Sequence, residues 1–162
     1  MVRTKAAEES FKKALDAYRG RKTVEAMALF EAAVMLDSRA KQDGQVDPRY
    51  RSWYGMCLAL EGGKFREGLN LCRKAAEEEF YSHQVWMNLG RVEMEAGNKA
   101  KAHEAFRRGL HLAPSQEKKR YRHLLDVLGM RRKPFFGFLR RSHPLNVFFG
   151  KLTWRHGKNE PD

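Results

Sequence analysis

Apolar side chains recur at three- and four-residue steps through most of the first 129 residues, the spacing of one face of an α-helix. In SFKKALDAYRG, Phe11, Leu15 and Tyr18 share a face, and in EAMALFEAAVMLD so do Ala26, Phe30 and Ala33. The same step joins Trp86 to Leu89, Ala102 to Phe106, and Tyr121, Leu124, Leu125 and Leu128 in EKKRYRHLLDVLG. The runs are broken at Gly62-Gly63, Gly97-Asn98 and Pro114. Gly and Asn tolerate left-handed backbone angles, and Pro lacks the N–H a helix interior needs. No segment alternates apolar and polar residues as a half-buried strand would, so the pattern predicts helices alone. The polar, turn-forming segment DSRAKQDGQVDP, residues 37–48, predicts an exposed loop.

The helical pattern repeats. Gly55 precedes Gly90 by 35 residues and Gly68 precedes Ala102 by 34, whereas Ala26 precedes Gly68 by 42 because the polar insertion intervenes. Within residues 83–116, Trp86, Leu89 and Gly90 read W-x-x-L-G, Ala102 and Phe106 read A-x-x-x-F, and Pro114 closes the unit. Each residue type has a physical task. Gly90 and Ala102 let two antiparallel helices approach closely, while Trp86, Leu89 and Phe106 fill the space between that pair and its neighbours. This segment resembles the tetratricopeptide repeat (TPR), with Glu93 where the family has Tyr and Gly109 where it has a small Ala. Residues 50–80 are a weaker copy in which Cys72 replaces the aromatic, and residues 7–37 are a third. Three units are the minimum at which stacked helix pairs bury a continuous core.

The resemblance implies an all-α fold: an α-solenoid of about three TPR helix pairs, residues 6–129, closed by a capping helix over 117–129. Residues 130–162 then form a separate basic, aromatic C-terminal tail.

Charge sharpens that division. The net charge is +12 over 162 residues, but residues 1–114 hold 20 Lys+Arg against 16 Asp+Glu, and residues 115–162 hold 12 against 4. Most of the excess therefore sits in the last part of the chain, as a dedicated contact with something anionic requires. Between 130 and 158 there is no acid; Arg131, Arg132, Lys133, Arg140, Arg141, Lys151, Arg155 and Lys158 alternate with Phe135, Phe136, Phe138, Leu145, Phe148, Phe149 and Trp154. Pro134 and Pro144 are placed to open two short helical turns joined at Ser142-His143, with Ser142 as the cap of the second. Four occupants of this surface are compatible with the composition: the chain's own solenoid, an anionic membrane surface, a protein partner, or a nucleic acid. The last is the least favoured, because no nucleic-acid recognition motif accompanies the charge.

Candidate chemistry is sparse. Cys57 and Cys72 lack C-x-x-C spacing and lie in apolar helical contexts, which predicts buried free thiols. The six histidines form no H-x-x-x-H pattern, Glu77-Glu78-Glu79 reads as a charge run at a helix end, and no Gly-rich phosphate loop follows a strand. Neither cofactor nor metal is implied, and the reading is non-enzymatic. The first residues lack the apolar stretch of a signal peptide and no run reaches 18 apolar residues, so the expected location is cytoplasmic, with contact to a membrane from that side as an alternative.

What the resemblance implies about function is protein binding, as an adaptor or scaffold that holds a peptide or helix in the concave groove lined by the first helix of each pair. The groove positions are Arg49, Ser52, Trp53 and Met56 in the second unit and Gln84, Met87, Asn88, Arg91 and Met94 in the third, with Lys12, Lys13 and Asp16 in the first. Methionine adapts to varied apolar ligands, and Asn88 and Arg91 suit a peptide backbone or a carboxylate. Met56 and Met94 are equally suited to filling space between helices. The Lys/Asn clamp by which some family members hold a chaperone's terminal carboxylate is not reproduced. Its places hold Lys12, Asp16, Trp53, Gln84 and Asn88, and only Lys12 keeps the expected type. The alternative function is that of a peripheral membrane or polyanion binder acting through the tail.

Overall fold

A computed structural model describes residues 4–41, 44–129, 136, 138 and 142–149. Among the described residues up to 129 there are seven helices: α1 (Lys5–Arg19), α2 (Thr23–Ala40), α3 (Pro48–Leu60), α4 (Phe65–Glu78), α5 (His83–Glu95), α6 (Lys99–Leu112) and α7 (Ser115–Leu128). The chain divides into two units, Met1–Met130 and Arg131–Asp162.

In the first unit α1 pairs with α2, α3 with α4 and α5 with α6, while α2 packs on α3, α4 on α5, α3 on α5 and α6 on α7. This is a helical-repeat solenoid. The helix pairs close on small residues. A Cβ placed on Gly68 would stand 2.3 Å from the Gly55 carbonyl oxygen and 2.8 Å from Ala59 Cβ, so α3 and α4 meet backbone to backbone. In the next pair Gly90 makes room for the Phe106 ring, and Gly109 does the same for Tyr121 of the closing helix α7. Around these contacts Phe11, Phe30, Tyr50, Cys57, Cys72 and Trp86 belong to one buried cluster, and Met87, Ala102, Phe106 and Tyr121 to a second. Both thiols are buried and free. Burial, which disfavours a thiolate, pushes Cys57 up to about 12 and moves Cys72 further in the same direction.

The turns inside the three pairs repeat one geometry. Arg21, Gly63 and Gly97 all have positive φ, at 61°, 68° and 77°. Glycine reaches that region at no steric cost, whereas Arg21 meets its own Cβ there. Beyond α6, Pro114 leads directly into α7, which starts two residues earlier than the sequence pattern suggests, and Gly129 ends it in a left-handed cap.

The insertion between α2 and α3 departs from the expected exposed loop. α2 runs on to Ala40, and Asp37 is fully buried. Its carboxylate accepts the Asp47 backbone N–H at 2.7 Å and pairs with Lys41 at 2.6 Å. Thr4 Oγ1 also donates to it, at 3.4 Å. Asp47 in turn caps α3, accepting the Arg49 N–H at 2.9 Å, with Pro48 in the first turn. The segment is polar because it carries a buried hydrogen-bond node, not because it is solvated throughout.

In the second unit, residues 144–149 are helical. His143 Nδ1 accepts the Leu145 N–H at 3.4 Å, so His143 stands where Ser142 was expected to cap. Asn146 is buried; its Oδ1 accepts the Phe136 N–H at 2.8 Å and its Nδ2 donates to the Phe136 carbonyl at 3.1 Å. The helical turn expected after Pro134 falls outside the described residues.

Two substitutions test this packing. Gly68→Ala should lower stability by about 1–3 kcal/mol despite alanine's better helix propensity, because the neighbouring atoms are backbone and cannot move aside. Arg21→Gly should raise stability by about 1 kcal/mol by removing the left-handed strain. Chemical denaturation of each variant measures both.

Candidate functional site

The first helices of the pairs, α1, α3 and α5, meet along one face through their side chains. Its centre is aromatic. Trp53 stacks on Phe30 at 5.4 Å between ring centroids and receives the edge of Tyr18 at 5.3 Å. Arg91 from α5 joins this group. Its Nη1 donates to the Tyr18 hydroxyl and contacts Met56 Sδ at 3.2 Å, with the guanidinium 5.8 Å from the Tyr18 ring centre. One arginine thus ties α5 to both α3 and α1. A guanidinium has five N–H donors, and these contacts use Nη1 alone. Arg91 and Trp53 are both half-buried, so each keeps surface for a ligand.

The remaining positions divide by burial. Ser52, Met56, Met87 and Asn88 are at most 1% exposed. Asn88 Nδ2 donates to Ser52 Oγ at 3.1 Å, and Gln84 Nε2 donates to Asn88 Oδ1 at 3.0 Å. This polar ladder holds α5 against α3. Asn88 and Ser52 are fully buried and bonded to one another, so in this conformation they face the inside of the helix contact rather than the open face. The two buried methionines fill space between helices, and Met94 packs half-buried against the second cluster. Gln84 is half-buried, and Lys12, Lys13 and Asp16 of α1 are exposed.

Arg49 is engaged within the fold. It pairs with Glu8 and Asp47, each at 3.2 Å, and lies 5.6 Å from the Phe11 ring centre. Burial works against its charge, but the hydrogen bond and charge of Asp47, joined by Glu8, outweigh that and raise its pKa further above the ordinary arginine value. Beside it the Tyr50 hydroxyl donates to Glu8 at 2.6 Å; burial first, then that bond, pushes the phenol well above its usual range. Tyr54 is held the same way by burial and by Glu31, and is pushed up to about 12.

Tyr18 was not among the groove positions read from the sequence, yet it stands at the centre of the face. The signal was in the turn register. Tyr18 lies three residues before Arg21, as Met94 lies three before Gly97. A second concavity also escaped the pattern. It is an open cleft of about 730 Å³ beside α6, lined by Phe80, Trp86, Arg107, Leu110 and His111 among others, and Arg108 lies 4.8 Å over the Trp86 ring. Among the described residues no group of three or more His, Cys, Asp or Glu side chains is placed to hold a metal ion. The tail positions Arg131, Arg132, Lys133, Arg140, Arg141, Lys151 and Arg155 lie outside the described residues.

Residues 83–116 match the family model for the tetratricopeptide repeat. No curated protein matches the chain by sequence. Solved structures share its fold. The Sgt2 TPR domain from Aspergillus fumigatus superposes with a TM-score of 0.62 at 15% identity, covering 79% of this chain and 80% of that one. The Arabidopsis OM64 TPR domain gives 0.59 at 19% identity, over 76% and 94% of the two chains. The Yersinia enterocolitica type III secretion chaperone SycD, in complex with a peptide of the translocator YopD, gives 0.57 at 17% identity, over 78% and 94%. One unit, residues 83–116, is thus a tetratricopeptide repeat by sequence, and the chain as a whole shares the helical-repeat fold of TPR domains.

Proposed function

We propose that this chain is a non-enzymatic adaptor that binds a peptide or helix of a partner protein on the face shared by α1, α3 and α5. The observation that carries the reading is the Tyr18–Trp53–Arg91 group. Three helices contribute to it, its aromatic rings are rigid and partly open, and its arginine keeps donors beyond those spent inside the fold. Aromatic and arginine side chains are the residue types that dominate binding energy in protein interfaces. A related fold accommodates such a ligand, since SycD is seen with a peptide of YopD. Trp53 supplies an apolar anchor and Arg91 a charge-assisted hydrogen bond to a carboxylate or a peptide carbonyl. Lys12 and Lys13 add positive charge at the exposed side of α1, which favours an acidic segment.

Peptides selected against the full chain from a displayed random library supply the ligand for the test. Arg91→Glu should raise their Kd by about tenfold or more, because it replaces a donor with a repelling carboxylate at the anchor. Unchanged affinity would remove this face from the binding site. Asn88→Ala should act on the free protein instead. It strands Ser52 Oγ and the Gln84 amide, and should lower stability by about 1–3 kcal/mol by chemical denaturation without any ligand present.

A further inference from the structure

The second unit carries a surface the groove does not explain. Asn146 fastens the backbone of Phe136 to the helical residues 144–149 through two hydrogen bonds, and the Phe136 and Phe149 rings meet edge to face at 5.6 Å. Phe138 and Phe148 extend this cluster edge to face, 5.9 Å from Phe136 and 5.5 Å from Phe149, but keep most of their surface outward. Phe138 is 84% exposed, Phe148 62%, Leu145 46% and Val147 42%. Leu145 and Phe148 stand three residues apart on the helical stretch and so share a face. Scattered exposed apolar residues are ordinary, but several large ones within a dozen residues mark a contact surface.

The charge of this stretch of sequence restricts the occupant. From residue 130 to 158 the chain has eight Lys and Arg and no Asp or Glu. An acidic surface is therefore the complement, and the mix of side chains decides between a nucleic acid and an anionic bilayer. Single-stranded nucleic acid is bound by stacking bases on flat rings, a use to which Leu145 and Val147 contribute nothing. A bilayer accepts any apolar side chain at the headgroup boundary, aliphatic or aromatic, and adds anionic headgroups for the basic residues. Among the described residues no helix is long and apolar enough to cross a membrane, so the contact would lie on the bilayer surface.

We propose that the C-terminal unit docks this protein on anionic lipid bilayers, with Phe138, Leu145 and Phe148 entering the headgroup–acyl boundary and the basic residues of 131–158 supplying the attraction. The two contributions are individually modest and act together, as two-signal membrane anchors do. The residues of this surface belong to a different unit from those of the face proposed for peptide binding.

Vesicle flotation of the full chain tests this. The probes are phosphatidylcholine vesicles and phosphatidylcholine–phosphatidylserine vesicles, each at low and high salt. The expected result is flotation with the phosphatidylserine vesicles alone, weakening severalfold as salt screens the charges. The Phe138→Ser/Phe148→Ser double variant should bind about tenfold or more weakly at either salt, because the apolar contribution does not depend on screening. Both rings are exposed, and circular dichroism checks that helix content is retained. Leu145→Ser alone, with a severalfold loss, gives an independent reading should the double variant misfold. Absence of phosphatidylserine-dependent flotation would overturn the proposal, as would undiminished, wild-type binding by both the ring and the Leu145 variants. Tighter binding to a single-stranded oligonucleotide than to the vesicles would overturn it in favour of the nucleic-acid class.

Discussion

Backbone-to-backbone contact between paired helices is the constraint from which the rest of the first unit follows. Where Gly55 faces Gly68 there is no space for even a methyl group, and the helices approach as closely as their main chains allow. That approach sets where the larger residues must go. Phe106 and Tyr121 lie over glycines because the same economy operates in the next pair and at the closing helix. Interiors packed at crystal-like density have no slack to absorb an added carbon, so the small residues determine the spacing and the large ones follow it. The face formed by α1, α3 and α5 inherits its geometry from that spacing. Arg91 can reach Tyr18 and Met56 together only because the intervening helices are held at fixed separations.

The helical repeat was legible in the residues for the same reason. Small positions recur at near-constant intervals, and every break between helices except residues 79–82, before α5, carries glycine, Asn98 or Pro114. What escaped was the meaning of polar residues. Asp37 reads as a loop residue, yet it sits buried and collects donors from Lys41, Thr4 and the Asp47 backbone. Asn88 and Ser52 read as ligand contacts, yet they are buried and bonded to one another. In both cases residue type announces a hydrogen bond without naming its partner, and that partner lies many residues away in the chain. Tyr18 failed in the opposite direction, because an aromatic on an amphipathic stripe reads as core. Half of its surroundings are indeed core; the other half is the open face.

The two units divide labour by residue chemistry. In the first, Glu93 stands where the repeat usually carries an aromatic, and it is almost fully buried. It binds Arg73 at 2.7 Å and Asn98 at 2.7 Å, joining α4 to the turn between α5 and α6. Buried charge of this kind is costly unless each oxygen is occupied, and here both are, one by each partner. Among the described residues of the second unit Asn146 holds Phe136, while large apolar side chains stay outward. One unit invests its polar groups in internal order, and the other leaves its apolar groups for contact.

Arrays of stacked repeats ordinarily communicate only between neighbours, so that their stability is a sum along a line and their ends can fray independently. The Arg91–Tyr18 contact joins residues 73 positions apart and links the third pair to the first directly, beside the contacts that both side chains make with the second. It acts as a chord across the superhelix. A change in the curvature of the stack must lengthen or shorten that chord, so the bend of the whole array becomes one shared coordinate, and a fluctuation at either end is felt at the other.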